Sequence, residues 1–287
     1  MSKKDIDEVS GIETTGHEWD GIKELNNPLP RWWVWTFYAT IVWAIGYMIF
    51  YPALPLINAA TPGLLGYSSR GEVRAELDAA QAAKGDYVAA IQSKDLAEIM
   101  ADDNLRQFAT AAGAAAFKVN CIQCHGSGAQ GSAGYPNLND DEWLWGGDID
   151  AIHLTITHGI RFAGDDNTRL SEMPAFADIL EPDQIKQVAA YVVSLTGTPS
   201  DAALAEAGAT VYAENCAACH ADDASGMRDL GAPNLADAIW LYGGSEAEIA
   251  QQIRAPKHGV MPGWTTRLGD ATVKELAVYV HSLGGGE

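Results

Sequence analysis

The sequence predicts an all-α protein, with one membrane-spanning helix near its start and two similar small helical domains after it. Three observations lead there. The run "WWVWTFYATIVWAIGYMIFY", Trp32 to Tyr51, carries no charge and is long enough to cross a bilayer as a helix. The phrase "NCIQCH" at 120–125 returns as "NCAACH" at 215–220, and the 4 cysteines of the chain all sit in these two phrases. The segments closing each repeat, "DQIKQVAAYVVSL" from Asp183 and "ATVKELAVYVHSL" from Ala271, space apolar residues by three and four positions, the period of an amphipathic helix.

These features divide the chain into a polar N-terminal segment (1–31), a transmembrane helix (32–52), a partly helical connector (53–103) and two repeats (104–198 and 199–287). The N-terminal segment is polar and is expected to be flexible. Tryptophans crowd the start of the apolar run and tyrosines its end, as at membrane interfaces. A cleavable leader fits poorly, because the run follows thirty polar residues and ends in Tyr-Pro-Ala-Leu-Pro without a small-residue cleavage site. The run therefore reads as a retained anchor. In the connector, Asp95 with Glu98 three residues on forms a variant capping box for a short helix. That stretch is either a semi-rigid helix lying against a partner or the membrane surface, or a solvated tether.

The repeat extends well beyond the cysteine phrases. Gly113 and Phe117 lead into the first as Gly208 and Tyr212 lead into the second. "PNL" recurs at Pro136 and Pro233, "WLWGG" from Trp143 answers "WLYGG" from Trp240, and "HGI" at His158 answers "HGV" at His258. "MPAF" at Met173 then answers "MPGW" at Met261, and Tyr191 and Tyr279 follow at equal distances. The first repeat has extra residues, "RFAGDDNTRLSE", between Ile160 and Met173.

Two cysteines two residues apart can be a redox dithiol or half a zinc site, but neither requires a histidine directly after the second cysteine. Cys-x-x-Cys-His is the signature of covalent haem c attachment. Cys121 and Cys124 would tether one haem and Cys216 and Cys219 another, with His125 and His220 as the proximal iron ligands. A six-coordinate iron needs a second ligand, for which methionine and histidine are the candidates. After His125 the sequence offers Met173, His153 and His158; after His220 it offers Met227, Met261, His258 and His281. Met227 follows His220 too closely for the chain to pass around the porphyrin. Met173 and Met261 are matched, precede proline, and leave enough chain to wrap the ring, which pairs Met173 with His125 and Met261 with His220. His158 and His258 are also matched, but a His-Gly pair simply ends a helix. His17, His153 and His281 have no repeat partner and read as surface or structural residues.

Glycine and an aromatic before Cys-x-x-Cys-His, Pro-Asn-Leu after it, then Met-Pro and a final helix carrying an aromatic resemble class I cytochrome c domains. The resemblance implies that the first and last helices of each domain cross in contact. It also implies that the carbonyls of Pro136 and Pro233 accept hydrogen bonds from the proximal imidazoles. Trp143 and Trp240 would face a haem propionate or pack on the ring edge.

Haem attachment of this type occurs outside the bacterial inner membrane, so the repeats would be periplasmic and the N-terminus cytoplasmic. Lys3, Lys4, Lys23 and Arg31 before the span agree with that orientation. The net charge of −20 excludes nucleic acid as a partner; it serves either to attract a basic donor cytochrome c or simply to keep the domains soluble. The order of anchor, connector and two haem domains is similar to the dihaem subunit III of cbb3-type cytochrome c oxidases. That resemblance implies a respiratory electron-transfer subunit, not an enzyme by itself. It would pass electrons from a soluble or membrane-bound cytochrome c, by way of a monohaem subunit, to the haem-copper subunit of a proton-translocating oxidase. A free anchored shuttle between a quinol-oxidising complex and an oxidase would look similar, and a dihaem peroxidase would need one displaceable ligand.

Overall fold

The computed structural model describes residues 5–287, so Lys3 and Lys4 of the orientation argument lie outside the described residues. The chain divides into two compact units, one up to Ala82 and one from Ala83.

The first unit opens with a hairpin of β1 (Thr14–Trp19) and β2 (Ile22–Leu25), paired antiparallel. It stands where the sequence suggested a flexible segment. The reason is local: Asp20 and Gly21 take φ of 48° and 82°, the double left-handed turn that Asp-Gly adopts between twisted strands. Helix α1 (Arg31–Phe50) follows, with no buried residue, and its apolar surface fits a membrane anchor. Its last carbonyls are not left orphaned. The amides of Leu64 and Leu65 turn back to the carbonyls of Ile49 and Phe50 at 3.0 and 3.1 Å. Helix α2 (Ser69–Ser93) spans the boundary between the units.

The second unit contains α3 (Leu96–Ala101), α4 (Asp103–Asn120), α5 (Ile122–His125), α6 (Ile149–His158), α7 (Pro182–Thr196) and α8 (Ala202–Asn215). Then come α9 (Ala217–His220), α10 (Glu246–Arg254), α11 (Thr265–Leu268) and α12 (Asp270–His281). Asp95 caps α3 in a full capping box with Glu98, as the sequence indicated. The end of the connector is no tether. Ile91 and Ile99 are fully buried beside Leu105 and Val278, Tyr87 stacks on Phe108 at 4.8 Å, and the Lys274 ammonium donates to the carbonyls of Ile91, Gln92 and Lys94.

The terminal helices do not close on their own repeats. Helix α7, the last of the first repeat, packs on α8, the first of the second; α12 packs on α4. Tyr279 meets Phe117 at 5.4 Å and Tyr191 meets Tyr212 at 5.1 Å, each pair joining the two repeats. One core gathers Phe117, Ile152 and Ile156 with Val273, Leu276 and Val280; the other gathers Ile185, Val188 and Val192 with Tyr212, Ile249 and Ile253. The expectation that first and last helices cross within a repeat is thus corrected. The stretches 104–198 and 199–287 are repeats of sequence, whereas each packed body draws on both. The physical reason is the link Gly197–Asp201, short enough to fold α7 and α8 into an antiparallel helical hairpin. Both crossings are close because each passes over glycine. A side chain at Gly113 would overlap the Glu275 carbonyl, and one at Gly208 the Gln187 carbonyl.

Candidate functional site

Each Cys-x-x-Cys-His phrase forms a short helical turn at the end of a longer helix. Cys121 closes α4, and the amides of Cys124 and His125 return to its carbonyl at 3.1 and 2.9 Å. Spacings of three and four residues place both thiols and the imidazole on one side of the turn. Cys216, Cys219 and His220 repeat the arrangement at the end of α8. The four thiols are unbridged, with Cys124 and Cys219 exposed. Burial pushes the Cys121 and Cys216 thiols up to about 11, so both are protonated at neutral pH.

His125 Nδ1 lies 3.1 Å from the Pro136 carbonyl, and His220 Nδ1 lies 3.0 Å from that of Pro233. A carbonyl can only accept, so each Nδ1 carries the proton and each Nε2 keeps its lone pair. Burial lowers both imidazole pKa values, while the proline carbonyls pull the other way. A neutral imidazole with one bare nitrogen is the form that ligates iron.

An open cleft lies beside each histidine, of about 770 Å³ at His125 and about 1440 Å³ at His220, open mouths included. The first is walled by Phe117, Trp143, Ile156, Trp264 and Leu276, and its sulfur comes from Met261. The second is walled by Phe176, Val188, Val192 and Tyr212, and its sulfur comes from Met173. The methionine that follows each histidine in sequence is therefore not the one that shares its cleft, which corrects the pairing expected from sequence order. The cause is the helix exchange, since each Met-Pro segment travels with the terminal helix after it. Met261 is fixed in the first cleft by paired backbone hydrogen bonds with Ile160, at 2.9 and 3.0 Å, and by the Trp264 amide on the Ile156 carbonyl at 3.0 Å. Gly159 permits this, because a side chain there would strike the Met261 carbonyl.

Of the other candidates, all but His258 fall elsewhere. His158 Nδ1 pairs with Asp165 at 2.9 Å, His281 Nε2 meets the Glu287 carbonyl at 3.0 Å, and His17 lies 3.7 Å from Glu24. His258 lines the second cleft, whereas Met227 lines neither. The Trp143 indole donates to the Gly285 carbonyl and approaches so near Gly147 that a side chain there would strike it, as one at Gly244 would strike Trp240. Sequence reasoning missed Arg161 and Leu144. Arg161 lines the second cleft, and Leu144 lines both. Only the unmatched insertion hinted at the first, and nothing local marks the second.

The donor set in each cleft fits haem c. A cysteine turn carries two thiols and an imidazole whose Nδ1 is occupied, at least one thiol and a thioether stand in the same cleft, and the walls are largely apolar. The helical fold and these paired clefts define a tandem c-type cytochrome with an N-terminal anchor helix. Family models agree along the chain: the N-terminal domain of cytochrome oxidase-cbb3, FixP, matches residues 11–58. Cytochrome c matches 110–196, and cytochrome c oxidase, cbb3-type, subunit III matches 203–280. The cbb3-type cytochrome c oxidase subunit FixPc of Rhizobium leguminosarum bv. viciae is 65% identical over 286 residues, covering 100% of both chains. Subunit FixP of Rhizobium meliloti is 62% identical over 99% of this chain and 98% of its own, and subunit CcoP of Cereibacter sphaeroides is 58% identical over 96% and 95%. The chain belongs to the FixP/CcoP family of cbb3-type cytochrome c oxidase subunits.

Proposed function

We propose that this chain is the membrane-anchored dihaem electron-transfer subunit of a cbb3-type oxidase, with crossed axial ligation. Cys121 and Cys124 would hold one haem c, ligated by His125 and Met261; Cys216 and Cys219 would hold the other, ligated by His220 and Met173. The observation that carries this reading is the presence in each cleft of one imidazole, with Nδ1 held by a proline carbonyl, and one thioether from the other repeat. When bound, haem c supplies one-electron ferric–ferrous chemistry, and thioether ligation raises its potential into a range suited to feeding an oxidase. The chain's own residues bind, orient and exclude water. Pro136 and Pro233 keep the proton on Nδ1, and Phe117 and Tyr212, both buried, line the clefts of His125 and His220. No acid, base or nucleophile is required of the protein.

Electrons would come from a cytochrome c donor drawn by the acidic surface and leave, through a monohaem subunit, for the haem-copper subunit that reduces oxygen and translocates protons. The anchor would sit in the bacterial inner membrane with the N-terminus cytoplasmic and the haem units periplasmic. Purification from membranes tests the reading. Two covalent haems per chain, a near-infrared sulfur-to-ferric-iron band and fixed stoichiometry with a haem-copper subunit are expected. A single haem, or a chain that purifies free of the oxidase, would contradict it.

A further inference from the structure

One side chain of the insertion touches both methionine-bearing segments. Arg161 Nε donates to the Gly259 carbonyl at 2.8 Å, and its Nη1 donates to the Ser171 carbonyl at 2.7 Å. Gly259 lies two residues before Met261, and Ser171 lies two residues before Met173. The backbone converges on the same point. The residue before Arg161, Ile160, exchanges both its hydrogen bonds with Met261, while the Arg161 amide donates to the Arg169 carbonyl at 2.8 Å. Arg161 itself is held at φ 51°, in the left-handed region that a branched-free but bulky side chain rarely occupies. Such a conformation persists where the surroundings over-determine it, and it is common at functional sites. The guanidinium is half-buried at the edge of the second cleft. Its two donating nitrogens are parts of one rigid plane, so the two carbonyls they hold cannot shift independently.

We propose that Arg161 is the positioning residue for both thioether ligands, holding Met261 in the first cleft and Met173 in the second and thereby coupling the two ligations through one side chain. The inference rests on the crossed ligand assignment above. A charged donor makes the stronger kind of hydrogen bond to each carbonyl. Losing it removes one restraint from each Met-Pro segment at once, while Met261 keeps its backbone pair with Ile160. The matched position in the second repeat lies directly at the Met261 segment and has no comparable arginine, so nothing duplicates the fork.

The test uses the full-length, haem-loaded chain in detergent, with added imidazole as the competitor for the sulfur ligand. In Arg161→Gln, imidazole should displace the thioether at both irons at roughly tenfold lower concentration, the equivalent of one charge-assisted hydrogen bond at each. The near-infrared band should fade in parallel at the two centres. Arg161→Lys keeps the charge but presents one point donor instead of a fork, so it should restore resistance at one centre more than at the other. Where Arg161→Gln gives no haem-loaded protein, that unequal response in Arg161→Lys carries the test. A purely structural arginine would lower thermal stability and leave both imidazole affinities unchanged, which would overturn the proposal, as would weakening confined to one centre in Arg161→Gln. Absence of the band from the unmodified chain would instead remove the ligand assignment itself, and this inference with it.

Discussion

Replacing Met261 with leucine separates the sulfur from its packing. Met261 lies half-buried against the cluster around Phe117, Val273 and Leu276. Leucine nearly preserves its volume, so the exchange should cost under about 1.5 kcal/mol, against about 2–5 kcal/mol for truncation to alanine. The fold should stand while one iron loses its thioether. With two sulfur-ligated irons per chain, the near-infrared band should fall to one half in Met261→Leu, to one half in Met173→Leu, and to nothing in the double variant. The identity of the affected iron is decided in a chain carrying Cys216→Ala and Cys219→Ala, where only the haem at Cys121 and Cys124 remains attached. There Met261→Leu should abolish the band and Met173→Leu should spare it. Absorption spectra normalised to covalent haem content make the comparison. A band that survives Met261→Leu and disappears with Met173→Leu would refute crossed ligation and restore the pairing by sequence order.

Three further outcomes follow from the packing and charge. In Gly208→Ala the added methyl meets a main-chain carbonyl that cannot step aside. Overpacking of about 1–3 kcal/mol should outweigh a gain in helix propensity of about 1 kcal/mol, so the melting temperature should drop by several degrees; an unchanged or raised value would contradict the tight α7–α8 crossing. Glu275 is buried between helices, and burial pushes its carboxyl up to about 6 despite the opposing pull of Lys84. Because the folded state binds this proton more tightly than the unfolded chain, its stabilising effect is full below pH 4.5 and is lost as the pH rises through 6. Glu275→Gln should therefore stabilise the protein by up to about 2 kcal/mol at pH 7–8 and by almost nothing at pH 4, as measured by denaturant unfolding at the two pH values. Finally, reduction by a basic cytochrome c should slow steeply as ionic strength rises to 0.15 M, about the range over which the screening length contracts toward 8 Å. Stopped-flow rates indifferent to salt would rule out electrostatic steering by the acidic surface.

The parts of this protein that follow from local chemistry were legible in its sequence. Covalent attachment needs two thiols and an imidazole within one helical turn, and "CIQCH" and "CAACH" state that directly. The helices over Pro182–Thr196 and Asp270–His281 follow from apolar spacing, and α1 from an uncharged run. The hairpin at Thr14–Leu25 was also local, but Asp20-Gly21 was outweighed by the polarity of its surroundings. Burial of Ile91 and Ile99 was not local. Their apolar side chains are few in an Ala-rich, charged stretch, and the surface that covers them comes in large part from α4 and α12, far along the chain.

Which repeat each methionine serves belongs to a different class of question, because the two answers are nearly equal in local energy. Each repeat brings a complete set of first helix, cysteine turn, Met-Pro segment and last helix. The contacts at either crossing are also alike: glycine under a main-chain carbonyl at Gly113 and Glu275 as at Gly208 and Gln187, and one aromatic pair at each. Periodicity cannot choose between a last helix that returns to its own repeat and one that docks on the other, since both bury the same face. What remains to discriminate them is chain connectivity. A five-membered link such as Gly197–Asp201 favours an antiparallel neighbour, and once α7 has taken its place on α8, the face of α4 is left for α12. The insertion unique to the first repeat then has a physical use. It adds Arg161, whose guanidinium reaches the Gly259 carbonyl of the other repeat beside the Ile160–Met261 backbone pair, a tie between the repeats that favours the exchanged arrangement.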